Sequence, residues 1–177
     1  MMKLKIKKVN IRTFLIFLIL LLIMIGFFRR WAIFFIITLA VSVFVYVNYY
    51  IKLPFDISPV LFLSLVITRE YGFLASFVFI IVSGIFPMVM AGGSFDHTTL
   101  FYLSLIFGIN FVSGFFTGFP YIIVFIAFAV LHHVIALIGS LSFGNNPYKE
   151  FMNLITKIIV DVFYIFTFSA GIIQLMG

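Results

Sequence analysis

From residue 13 onward the chain is a series of long apolar runs separated by short polar clusters. In a bilayer every backbone N–H and C=O must be bonded within its own segment or a closed barrel. A barrel strand alternates apolar and polar residues over about ten positions. The runs here are continuous, and most are about twice that length. They predict an all-α, polytopic transmembrane helical bundle of six to seven helices, with one short or re-entrant helix near residues 57–69. Composition agrees: 65% of the residues are hydrophobic and 9% are charged, against about 25% charged in soluble domains. Too few polar groups remain to cover a water-soluble surface. A soluble enzyme, a nucleic-acid-binding domain and a disordered chain are excluded.

At about 20 residues per span, 177 residues leave no room for a soluble domain. The expected layout is a basic segment over 1–12 followed by a single membrane domain over 13–177. Cysteine is absent, which excludes disulfides, thiolate metal sites and a Cys nucleophile.

Punctuation sets the segments. Apolar runs at 13–28 and 31–50 flank Arg29-Arg30-Trp31, with no small-x-small cleavage pattern, so the first run reads as a retained helix and not a signal peptide. Leu53-Pro54-Phe55-Asp56 breaks the chain, and Ser58-Pro59 reads as an N-cap with proline at the first helical position. A short helix over 59–69 spans about half a membrane, too little to cross alone, and pairs with the next helix as a bent hairpin. Further helices follow at 71–90, 100–116, 121–142 and 149–176, separated by the loop AGGSFDHTT at 91–99, by Gly118-Phe119-Pro120 and by Gly144-Asn145-Asn146-Pro147.

If all seven segments span, one side collects Lys3, Lys5, Lys7, Lys8, Arg12, Lys52 and Lys149, and the other Arg29, Arg30 and Arg69. The cation bias puts residues 1–12 in the cytoplasm and the protein in the cell membrane, multi-pass.

The last helix carries the sharpest polar signal. Glu150, Asn153, Lys157, Asp161, Tyr164, Thr167, Gly171 and Gln174 fall at spacings of 3, 4, 4, 3, 3, 4 and 3, within an arc of roughly 140°. Lys157 and Asp161 are i and i+4, within reach of each other. The stripe reads as the wall of a solute pocket or as a structural ion pair holding the helix in the bundle. His132 and His133 point about 100° apart, so they are not expected to face one partner. His133 shares a face with Ala129, Ala136 and Ser140 and is the one expected inside, as a ligand-binding group or as a bond to a neighbouring helix. In the 91–99 loop, Asp96 and His97 offer a charge and a titratable ring, with capping of the next helix as the plainer reading. Asn110 shares a face with Gly114 and Thr117. The candidate ligand-binding residues are therefore Asp96, His97, Asn110, His133, Asn153, Lys157, Asp161 and Tyr164. No metal site is expected, because the three imidazoles lack ligand spacing. No nucleophile elbow supports hydrolysis, so no catalytic residue and no cofactor are expected.

From Pro54 to Gly118 the layout is a Pro-initiated short helix, the turn Arg69-Glu70-Tyr71-Gly72, a small-residue helix with Gly84, the loop Ala91-Gly92-Gly93 and another Gly-bearing helix. This resembles the substrate-binding S subunits of energy-coupling-factor vitamin transporters, and also the rod-shape-determining protein D family. The first resemblance implies a six-helix bundle binding a vitamin or metal near its outer face, and alanine-rich motifs on the first helix that meet a membrane coupling subunit. Thr13–Phe28 contains no alanine and departs from that pattern. The second implies a scaffold without solute. The function expected is a small-solute-binding transport subunit, not an enzyme. Its partners would be the lipid bilayer and a coupling subunit with a separate ATPase, since the chain has no Walker-type phosphate loop; nucleic acid is not expected. The alternative is a non-catalytic membrane scaffold or morphogenesis protein.

Overall fold

The computed structural model describes the backbone of residues 11–51 and 57–176, with side chains from residue 28 onward. Lys3, Lys5, Lys7, Lys8 and Lys52 lie outside the described residues. Among those described there are six helices and no strand: α1 (Ile11–Ile51), α2 (Val60–Tyr71), α3 (Phe73–Met90), α4 (His97–Phe116, its last turn 3₁₀), α5 (Tyr121–Ser142) and α6 (Pro147–Met176). Five helical stretches are long and apolar enough to cross a membrane: Phe28–Ile51 of α1, and α3 to α6. Their outer faces are bare of polar cover, with Leu39, Leu74, Phe115 and Ile123 all strongly exposed. The chain is an integral membrane protein.

Two expected helices are one. The runs at 13–28 and 31–50 join without a turn into the 41 residues of α1. Arg29-Arg30-Trp31 contains neither glycine nor proline, and arginine is a good helix former. A charged pair alone gives the backbone no reason to turn. The count of seven segments therefore becomes six helices, one of them short.

That short helix, α2, is the centre of the bundle. Its 12 residues reach only about 18 Å, and Leu61 through Thr68 are buried on every side. Phe62 meets Phe125 of α5 edge-on and stacks on Tyr164 of α6. The helix begins at Val60, so Pro59, and not Ser58, stands at the N-cap, and its ring offers no cap bond. Gly72, at φ +86°, makes the single-residue turn into α3, a conformation essentially restricted to glycine at its ψ of 168°. Val60 and Gly84 stand equally far from Gly72 along the chain, and a Cβ at Gly84 would touch Val60 at 3.5 Å. The two helices are thus folded back on each other, as the expected hairpin.

The two polar residues of α2 that face α4 are matched by one amide. Asn110 accepts from Thr68 at 2.8 Å and from Ser76 at 3.2 Å, and donates to Ser64 and to the Ile106 carbonyl at 2.9 and 2.8 Å. Its full capacity of two acceptor and two donor positions is used. Pro87 disturbs α3, because it has no N–H to give to the preceding turn. The helix widens into a π segment at Ile80–Ile85. The Val82 carbonyl, whose i+5 partner would be Pro87, stands 3.1 Å from the Ser42 hydroxyl of α1, which shares its one hydrogen with the Thr38 carbonyl at 2.7 Å.

One end of the bundle is tied by arginines. Arg30 donates to the carbonyls of Met176 at 2.9 Å and Glu70 at 2.7 Å, and lies over the Tyr71 ring. Arg69 donates to Phe119 at 3.0 Å. A guanidinium on the last carbonyls of α6 satisfies orphan acceptors and complements the helix dipole.

Candidate functional site

The opposite half of the bundle holds an open cavity of about 340 Å³. Small-molecule pockets run from about 300 to 1,000 Å³. α2 fills the bundle axis only from Val60 onward, and Ser58, Val60 and Leu61 line the space beyond its start. The π segment supplies part of the wall through Ile80, Gly84 and Ile85. Tyr49 comes from α1, Thr98 and Tyr102 from α4, His132 and His133 from α5, and Glu150, Asn153, Lys157 and Asp161 from α6. The cavity is therefore mostly apolar, with polar groups gathered on the α4, α5 and α6 sides.

A buried acid–imidazole pair joins α5 and α6 at the cavity. His133 Nε2 and Asp161 Oδ2 are 2.6 Å apart, with side chains 5% and 6% exposed. An ionised carboxylate only accepts, so the ring nitrogen donates. The second nitrogen of the same ring, Nδ1, lies 3.4 Å from Nδ1 of His132, with the rings nearly perpendicular. The Lys157 ammonium sits 6.0 Å from the centroid of the Tyr102 ring.

Of the expected site residues, the structure gathers His133, Asn153, Lys157 and Asp161 around the cavity. The carboxylate of Asp161 meets His133 of α5, a partner that the i, i+4 spacing toward Lys157 does not suggest. Asn110 belongs to the saturated knot between α2 and α4 and lines no part of the space. Tyr164 donates to the Ile57 carbonyl at 2.8 Å and packs on Phe62. Asp96 and His97 are exposed and do not line the cavity; Asp96 caps α4, accepting from the Thr99 N–H at 2.8 Å and the Thr99 hydroxyl at 2.9 Å. Those two bonds, the backbone one first, hold its carboxyl below the usual value.

The seam on α6 faces inward only for half its length. Beyond Asp161 the buried positions are Ile165, Ser169 and Met176, while Thr167, Gly171 and Gln174 are exposed. Spacings averaging below 3.6 residues carry the polar stripe around the helix and away from the core.

The divergence of adjacent side chains leads to only His133 being expected inside, yet both imidazoles line the cavity. A wide space accepts two groups about 100° apart where a single partner would not. Tyr102 and Glu150 were also outside the expected set. Tyr102 was legible, since Thr98, Tyr102 and Ile106 recur every four residues on α4 and all three line the space.

Comparison with family models, with curated proteins and with solved structures finds no match.

Proposed function

We propose that this integral membrane protein is a small-solute-binding transport subunit, of the kind its Pro54–Gly118 layout resembles. The observation that carries the reading is the cavity of about 340 Å³, lined on one side by buried polar groups and closed below by the start of α2. A scaffold gains nothing from an unfilled space, because the missing contacts cost stability. The chain carries no nucleotide motif, so energy for release would come from a membrane coupling subunit with its own ATPase.

Orientation follows from charge. α1 runs unbroken from Arg30 back to Ile11, which sets Arg12 on the same end as Arg29, Arg30 and Arg69. Lys149 stands at the cavity end, at the start of α6. The bias puts the arginine end in the cytoplasm and opens the cavity to the outer face of the cell membrane. The N-terminus stays cytoplasmic, but Arg29, Arg30 and Arg69 join its side.

The test is mass spectrometry of small molecules that co-purify with the protein, beside a Leu137→Trp variant that fills the cavity. A compound present in the first and lost from the second supports the reading. Equal, empty preparations overturn it in favour of the scaffold.

A further inference from the structure

We infer that the cavity selects solutes carrying a protonated amine or another strong hydrogen-bond donor, and that a proton competes with them at His132 Nε2. The inference rests on the solute-binding reading above and names the class of solute.

The argument begins at the carboxylate. Asp161 accepts from His133 Nε2 across 2.6 Å. With Nε2 carrying the hydrogen, a neutral His133 presents a lone pair at Nδ1. Nδ1 of His132 is 3.4 Å away. Two lone pairs at that distance would repel, so His132 carries its hydrogen on Nδ1 and donates. Its Nε2 is then a lone pair. His132 lines the cavity, and Nε2 is the ring nitrogen left for a solute. The chain from Asp161 through both rings thus turns a buried negative charge into an acceptor at the cavity wall.

One proton reverses this. Added at His132 Nε2, it leaves that nitrogen as N–H while the Nδ1 hydrogen passes to His133 Nδ1. The product is a neutral His132 beside a His133 imidazolium paired with the Asp161 carboxylate. One proton has entered, one N–H bond has formed at each ring, and the Nδ1–H bond of His132 has broken. The wall now offers a donor, which rejects an amine and suits a carboxylate. Among the described residues, the other titratable groups facing the cavity are Tyr49 of α1, Tyr102 of α4, and Glu150 and Lys157 of α6. With the relay unprotonated, the described lining sets two carboxylates, Glu150 and Asp161, against the Lys157 ammonium, which favours a cation.

The probes are benzylamine and benzoate, alike in shape and opposite in hydrogen-bonding sense. Calorimetry in nanodiscs, run from pH 8 down to the acid limit of folding, should show benzylamine bound at pH 8 and weakened about tenfold at the acid end, the size of one charge-assisted hydrogen bond. Benzoate should show the reverse preference. Nitrogen NMR of histidine-labelled protein should show a lone pair at His132 Nε2 at pH 8 that becomes N–H in acid; His97→Gln assigns the third imidazole. Glu150→Gln should lower affinity and keep the pH dependence, whereas His132→Gln should remove it. Preference for benzoate at pH 8, an N–H at His132 Nε2 at pH 8, or pH dependence surviving in His132→Gln overturns the inference. If neither probe binds while another compound co-purifies, the amine class falls and the solute-binding reading stands. If nothing binds or co-purifies, both fall.

Discussion

The two halves of the bundle treat buried polar groups in opposite ways. Around Asn110 the groups satisfy one another: one fully buried amide serves Ser64, Thr68, Ser76 and a carbonyl. Around Asp161 the groups form a line, from carboxylate through His133 to His132, that ends at an open cavity. Both arrangements obey the same constraint, that polar atoms away from water need partners. The closed knot fixes helices. The open line leaves capacity for something that is not part of the chain.

The contrast is most exposed to removal of His133. In His133→Leu the Asp161 carboxylate stays buried without its donor, and a loss of about 3 kcal/mol is expected. The double variant with Asp161→Leu should recover part of it, because no unpaired charge is left. Unfolding midpoints in detergent for both singles and the double decide this; a double no more stable than the worse single would break the pairing.

Asn110→Leu should come next. Four bonds at roughly 0.6 kcal/mol each, the average for helix contacts in membranes, give about 2 kcal/mol. Binding of any co-purifying solute should stay unchanged, since Asn110 itself lines no part of the cavity. A large loss of binding at equal stability would erase the distinction between the halves.

Gly139→Ala should cost about 1–2 kcal/mol. A Cβ there would run into the Phe101 ring of α4, which must swing aside. The measurement is again the unfolding midpoint, with Gly108→Ala as the comparison, since nothing lies within 4 Å of a Cβ at that position.

The smallest effect belongs to Asp96, an exposed cap outside both halves. Its carboxyl is held below the usual value by Thr99. The contribution is present above the unfolded-state pKa and lost as pH falls through the folded one. Asp96→Ala should shift the midpoint slightly at neutral pH and not at all in strong acid. An equal shift at both would show the cap to be irrelevant.

What the sequence determined by itself is what the bilayer and local backbone chemistry dictate. Long apolar runs force helices, Gly72 and Pro120 interrupt them, Asp96 caps α4, and the short apolar run after Pro59 makes a half-length helix. Each follows from residues within a few positions of one another. The tertiary structure decided which groups meet. Arg29-Arg30 sits mid-helix because nothing local breaks the backbone there, and Arg30 finds its carbonyls on α2 and α6. Asp161 stands one turn from Lys157 on its own helix, and helix packing brought a ring of α5 to 2.6 Å from its carboxylate as well. His132 became part of a site only because α2 starts late enough to leave a space that both imidazoles reach. Spacing fixes the direction of a side chain on its own helix. What stands opposite is set by how the helices pack, and that depends on the volume of every other side chain in the core.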